Sequence, residues 1–257
     1  MADSPVALVT GASSGIGENL ALGLAEDGYQ VVLGARSEGK LKTVAERIAS
    51  QLSLTSKRQP VYYPVDVADE KQVEQIVRYV EKKFRRIDVL LNSAGRGGAG
   101  SLELDVDEFD LLLAVNLRGP FVFMKHVVPI MRKQRSGYII NIASRNGKVG
   151  IVGKGGYAAS KFGLIGLSEV VYRELAAEGI KVTTLCPGWV NTEMATRGGC
   201  PHPADRIIQP SDIWRTVQWL LNLGPSVSIM EVLLECSVDV ERRSTIENTK
   251  KSQLLKD

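Results

Sequence analysis

Glycines 11, 15 and 17 stand at a junction between two hydrophobic patterns, and that junction restricts the fold more than any other feature of the chain. Val6–Thr10 is a short apolar run with the length of a buried strand. A helical pattern follows from about Ser14 to Asp27, with Gly28 as its stop. A strand that passes through glycine directly into a helix is the opening of a βαβ unit, because parallel strands need a crossover connection.

The remaining chain continues that alternation. Strand patterns are expected at Gln30–Gly34, Val61–Val65, Ile87–Leu91, Tyr138–Ala143, Ile180–Cys186 and Ser228–Glu235. Between them run helical patterns at Glu38–Leu52, Asp69–Phe84, Val106 to about Gln134, Gly156–Glu178 and Ser211–Asn222; Gly119-Pro120 interrupts the long one. A polar loop is expected from Ser53 to Gln59. The expected fold is α/β: one doubly wound parallel sheet of about seven strands, with helices on both faces. The sequence has no repeat and no clear boundary, so residues 1–238 read as one domain and 239–257 as a polar tail.

Composition excludes several classes. In 257 residues, 44% are hydrophobic, enough for a large core, and the net charge is only +3 with lysine and arginine scattered. That distribution argues against a nucleic-acid surface. Cys186, Cys200 and Cys236 are far apart, and the histidines are only His126 and His202, so neither a metal site nor a disulfide framework is expected. Met1-Ala-Asp-Ser-Pro leads straight into the first strand without the features of a secretion signal. No apolar stretch reaches the roughly 20 residues of a membrane span. The expected setting is cytoplasmic.

The glycine turn is a candidate phosphate cradle. Gly11, Ser13, Ser14, Gly15, Ile16 and Gly17 would let backbone approach a pyrophosphate at a helix N-terminus, where free N–H groups and a partial positive charge await an anion. The end of the second strand then bears on cofactor choice. An acidic residue there binds a ribose 2′-hydroxyl, whereas an arginine accommodates a 2′-phosphate. The chain reads Leu33-Gly34-Ala35-Arg36, which favours NADP(H) over NAD(H). Asp66 and Val67 would lie beside the adenine.

Tyr157 and Lys161 are four apart and share a helix face. A phenol beside an ammonium is a tunable acid–base, since a nearby cation favours the phenolate. With Ser144 at the preceding strand end, the group suggests proton transfer at a carbonyl or hydroxyl oxygen.

The series Thr10–Gly17, Asn92-Ser-Ala-Gly95, Asn116, Ser144, Tyr157-x-x-x-Lys161 and Pro187-Gly188-x-x-x-Thr192 resembles the short-chain dehydrogenase/reductase family over about residues 5–236. The resemblance implies a Rossmann-type fold and carbonyl–alcohol interconversion by hydride transfer. Tyr157 would be the acid or base, Ser144 would hold the substrate oxygen, and Lys161 would lower the tyrosine pKa and bind ribose hydroxyls. Asn116 would help hold a water. Pro120 supports this independently, because it removes a donor and frees carbonyls around Asn116. Asn92, Ala94 and Gly95 would border the adenosine ribose and pyrophosphate; Pro187, Gly188, Val190 and Thr192 would flank the nicotinamide. The substrate loop would span about 193–209, opposite Arg145–Gly155. Arg145, Lys148 and Lys154 there are either anion ligands or solvated charges. The resemblance also implies a homodimer or homotetramer through the two long helices, with Phe121, Phe123, Leu167 and Val171 as candidate contacts.

Two alternatives follow. One is a 3-oxoacyl-(acyl carrier protein) reductase, with Arg132, Lys133 and Arg135 meeting an acidic carrier; Glu178 and the Glu235-Cys-Ser-Val ending depart from that pattern. The other is a dinucleotide-binding sensor or scaffold without turnover.

Overall fold

The computed structural model describes residues 4–53 and 58–240. Seven strands form one parallel sheet in the order β3-β2-β1-β4-β5-β6-β7. They are β1 (Val6–Thr10), β2 (Gln30–Ala35), β3 (Val61–Pro64), β4 (Val89–Asn92), β5 (Gly137–Ile142), β6 (Ile180–Pro187) and β7 (Glu231–Leu234). The helices between them are α1 (Gly15–Glu26), α2 (Glu38–Gln51), α3 (Glu70–Phe84), α4 (Val106–Leu113), α5 (Gly119–Gln134), α6 (Gly155–Leu175), α7 (Glu193–Arg197) and α8 (Pro210–Leu221). The expected α/β class and strand count are therefore what the chain adopts.

Period-two alternation builds the layers. Ala7, Val9, Val31, Leu33, Leu91 and Ile140 face one core, closed by α1, α2 and α8. Val6, Leu8, Val32, Leu90 and Ile139 face the other, closed by α3, α5 and α6. Central strands are thus buried on both faces and contain almost no polar residue; each fully buried Val, Leu or Ile contributes about 1.5–3 kcal/mol.

Strand order reverses between β1 and β4, so a crevice opens beyond their carboxyl ends. The glycine turn, Ser144, Tyr157 and Lys161 line the cavity there.

The long helical pattern is locally remodelled at its proline. Pro120 cannot donate to the Asn116 carbonyl, the α-helical partner four residues earlier. The chain widens into a π-turn over Ala114–Arg118, where Gly119 N–H reaches back five residues to the Ala114 carbonyl. By length and composition alone Val106–Gln134 is apolar enough to cross a membrane. Val122, Phe123, Val127 and Met131 are instead buried against the sheet. Phe123 is thus core rather than contact, and Leu167 and Val171 also pack on that core. Phe121, Phe162 and Val170 are the apolar side chains left exposed on α5 and α6.

Other boundaries shift slightly. Glu193–Arg197, expected as loop, is one short helix capped by Thr192, whose Oγ1 accepts from Ala195 N–H. Residues 54–57 of the polar loop, and the expected tail beyond 240, lie outside the described residues.

Candidate active site

The phosphate cradle is made by two turns pressed together. Thr10 ends β1, and its Oγ1 accepts hydrogen bonds from Ser93 N–H (3.1 Å) and Ala94 N–H (3.0 Å) in the turn after β4. Gly11 adopts φ +66°, and a Cβ there would meet the Ala94 backbone at 2.7 Å. A Cβ on Gly17 would stand 2.4 Å from the Gly11 carbonyl oxygen. Only hydrogen fits at either position. Ser14, the N-cap of α1, makes no side-chain bond to the helix, so it leaves the first-turn N–H groups to an incoming anion.

A continuous cavity of about 720 Å³ runs from this cradle in both directions. At one end are Arg36, Asp66 and Val67; past Gly11–Gly17, Ala94 and Gly95 it reaches Pro187, Gly188, Val190 and Thr192, and then Ser144, Tyr157 and Lys161. The residues fit a dinucleotide: bare glycines and uncapped N–H groups at the middle, a guanidinium at one end, and an acid–base pair at the other. Arg36 is exposed, and no group among the described residues accepts a bond from it. The Asp66 carboxylate turns back to its own loop, accepting from Ala68 N–H at 2.9 Å.

Tyr157 sits in the first turn of α6, and Lys161 follows one turn later on the same face. Ser144 enters from the end of β5, its Oγ accepting from Asn146 N–H at 3.1 Å. Lys161 Nζ donates to the Ile142 carbonyl at 3.0 Å and lies 5.8 Å from the centre of the Tyr157 ring.

Burial dominates the electrostatics of this pair. Burial pushes the Tyr157 phenol above its ordinary value, and the Ser144 side chain opposes this only in part. Burial also pushes the Lys161 ammonium down to about 8. Desolvation is the largest influence on both groups. At neutral pH the tyrosine is a protonated acid beside a lysine that still carries its charge.

Two expected site residues do not line the cavity. Asn92 is buried, donates from Nδ2 to Asn141 Oδ1 (2.8 Å), and does not line the cavity. It ties β4 to β5. Asn116 is fully buried in the π-turn and also does not line the cavity. Its Oδ1 accepts from Arg96 N–H (2.8 Å), and its Nδ2 donates to the Arg96 carbonyl (2.9 Å) and Ser160 Oγ (3.0 Å). It thereby fastens the turn after Gly95 to the helix that carries Tyr157.

Arg96 was missed by sequence reasoning. Its guanidinium grips Glu108 on α4 with two bonds of 2.9 and 2.7 Å, holding the segment after Gly95 against the cavity. The signal was a charged side chain directly after a glycine turn. Trp189, within the segment expected to flank the nicotinamide, and Met194, within the expected substrate loop, also line the cavity. His202, in the substrate loop, bonds through Nε2 to Asp239 at 2.7 Å and so fastens that loop to the segment after β7. Cys186 and Cys236 are buried, and burial pushes the Cys186 thiol up to about 12, so it is inert at neutral pH. Among the described residues, no cluster of His, Cys, Asp or Glu has the make-up of a metal site.

Comparison with known proteins agrees with this arrangement. The family described as short chain dehydrogenase matches residues 5–199. The uncharacterized oxidoreductase YxjF of Bacillus subtilis is 41% identical over 190 residues, covering 74% of this chain and 72% of that protein. An uncharacterized oxidoreductase of Staphylococcus aureus (strain USA300) is 34% identical, over 88% of this chain and 95% of its own length. Among solved structures, a betaketoacyl-[ACP] reductase from Bacteroides thetaiotaomicron superposes with a TM-score of 0.82 at 39% identity, covering 93% of this chain and 99% of that one. An alcohol dehydrogenase from the archaeon Thermococcus sibiricus, complexed with 5-hydroxy-NADP, gives 0.81 at 30% identity over 90% and 96%. Sheet order, glycine cradle and these matches along most of the chain lead to one assignment: the protein is an oxidoreductase of the short-chain dehydrogenase family.

Proposed function

We propose that the protein interconverts a carbonyl and an alcohol with NADP(H), preferred over NAD(H), using Tyr157 as the acid or base. The observation that carries this reading is a single cavity with a free guanidinium at one end and a Ser–Tyr–Lys group at the other. When bound, the nicotinamide supplies or accepts the hydride, and the protein handles orientation and the proton. Ser144 and Tyr157 hold the substrate oxygen between two hydroxyls. In reduction, Tyr157 gives its proton to that oxygen. Lys161 keeps a positive charge behind the phenol and stabilises the phenolate left behind. Asn116 acts at a distance, by fixing the Arg96 turn and Ser160 relative to α6.

Four structural relatives bear NADP or a form of it in their descriptions, including an actinorhodin polyketide ketoreductase with NADPH. In this chain Arg36, which lines the cavity, would meet the 2′-phosphate. Arg36→Asp should raise the KM for NADPH by roughly 10- to 100-fold relative to NADH, the size of one charge-assisted phosphate contact. An unchanged NADPH/NADH ratio would remove Arg36 from the cofactor role. The primary test is a panel of ketones and aldehydes with each cofactor, followed at 340 nm. Tight NADPH binding without oxidation by any of them would instead favour a dinucleotide sensor.

The likeness to a betaketoacyl-[ACP] reductase raises a second reading. The geometry disfavours it. Arg132 is closed by Glu178 through bonds of 2.7 and 2.8 Å, and Lys133 lies 3.5 Å from Glu81. Two of the three basic residues expected to meet an acidic carrier are thus paired from within, and Arg135 alone has no acidic partner among the described residues. A small free carbonyl substrate fits better, in a homodimer or homotetramer joined through the exposed apolar faces of α5 and α6.

A further inference from the structure

The substrate end of the cavity contains more positive charge than the fold itself neutralises. Four cations line it besides Lys161: Arg96, Arg145, Lys154 and Arg197. Two of them are matched, Arg96 by both oxygens of Glu108 and Arg197 by Glu193 at 2.5 Å. Arg145 is paired only loosely, and Lys154 has no ionic partner among the described residues. Arg145 follows Ser144 directly, and its side chain is only 15% exposed. Its one ionic neighbour among the described residues is Glu235 at 3.7 Å, beyond hydrogen-bond reach, and Glu235 has a further partner of its own. None of the guanidinium donors makes a hydrogen bond among the described residues. Lys154, three positions before Tyr157, caps the helix that carries the tyrosine and has no ionic partner among the described residues.

A mostly buried guanidinium with idle donors is costly unless something fills them. Sites that break a folding rule in this way are expected to be functional. Arg145 follows the serine, Lys154 precedes the tyrosine by three positions, and both line the cavity that Ser144 and Tyr157 line. A planar fork beside a point charge matches a carboxylate. The cavity of about 720 Å³ also has to hold the dinucleotide, which favours a small second ligand.

We propose that the substrate is a small oxo acid, reduced to the corresponding hydroxy acid, with its carboxylate held by Arg145 and Lys154. This rests on the carbonyl-reductase reading above. The carbonyl carbon gains a hydride, its oxygen gains the Tyr157 proton, the nicotinamide is oxidised, and the carboxylate is unchanged. Arg145 and Lys154 are specificity determinants and take no part in proton transfer.

The test compares short 2- and 3-oxo acids with their methyl esters, with NADPH and with NADH. The pairs share a carbonyl and differ by one charge. In the wild-type enzyme kcat/KM for the acid should exceed that for the ester by roughly tenfold or more, chiefly through KM. Lys154→Met and Arg145→Gln should each lower the acid value by roughly 10- to 100-fold and leave the ester within about threefold. Butyrate with NADP⁺ should raise the melting temperature of the wild type more than that of Lys154→Met. Equal turnover of acid and ester, or equal loss of both in the variants, overturns the anion site and leaves the reductase reading intact. No oxidation of either cofactor by any carbonyl, with no butyrate shift, overturns both.

Discussion

Tyr157→Phe should lower turnover by roughly 10²- to 10⁴-fold while leaving NADPH affinity within a few-fold of wild type. The range is that of a positioned general acid. The substitution removes one oxygen from a half-buried ring that lines the cavity, so the shape of the site is kept. The phenol is held above its ordinary pKa by burial, so it is fully protonated at neutral pH and ready to donate. Its loss therefore removes the proton source and not merely a contact. The effect should appear in kcat as strongly as in kcat/KM, because the proton moves only in the transition state. The measurement is single-turnover oxidation of prebound NADPH alongside a fluorescence titration of the cofactor. Retained turnover with unaltered binding would move the acid role to another group.

The cofactor half of the site was more legible in the sequence than the proton machinery, and the reason is physical. Glycine positions report backbone constraints, and Gly11 and Gly17 turn out to lie where any Cβ would strike a neighbouring backbone. Arg36 could be placed because a strand end fixes where its side chain begins. Strand alternation likewise gave the fold, since each apolar residue on a doubly covered strand has to face one core or the other. Side-chain partnerships were different. Asn92 shares a motif with Ala94 and Gly95, yet its amide is used by Asn141 on the next strand. Asn116 was expected to work through a carbonyl and a water, and its side chain proves to be fully engaged by Arg96 and Ser160. Arg132 and Glu178 are 46 residues apart, and nothing local announces their pairing. These contacts depend on which segments the crossovers bring together. The upward pull of burial on the phenol was hidden for a related reason. Spacing shows that a cation is near, but it does not show how deeply both groups are buried.

Lys161→Met should abolish useful turnover and at the same time make the protein more stable. Burial moves the ammonium from 10.5 to about 8, which corresponds to about 3 kcal/mol of desolvation cost carried by the folded state. Methionine fills a similar volume without the charge. The variant also gives up the hydrogen bond to the Ile142 carbonyl, which costs about 1 kcal/mol. The net gain is about 2 kcal/mol, or roughly 5 °C for a chain of this size. The pH dependence fixes the cause. Between about pH 8 and 10.5 the unfolded chain retains a proton at this lysine that the folded protein has released, so folding is favoured increasingly as pH rises. The cost is therefore complete below pH 8 and disappears towards 10.5. The stability advantage of Lys161→Met should be greatest at pH 7 and should close as pH rises through that window. In the wild type, kcat/KM for reduction should be flat below pH 8 and fall above it as the cation is lost, since this quantity reports titration of the free enzyme. Calorimetry of both proteins at pH 7 and 10, with a pH–rate profile of the wild type, tests the whole chain of reasoning. A variant less stable than the wild type at pH 7 would show that Lys161 is held in place by interactions stronger than its desolvation. A stability gain that did not change with pH would assign the effect to packing rather than to charge.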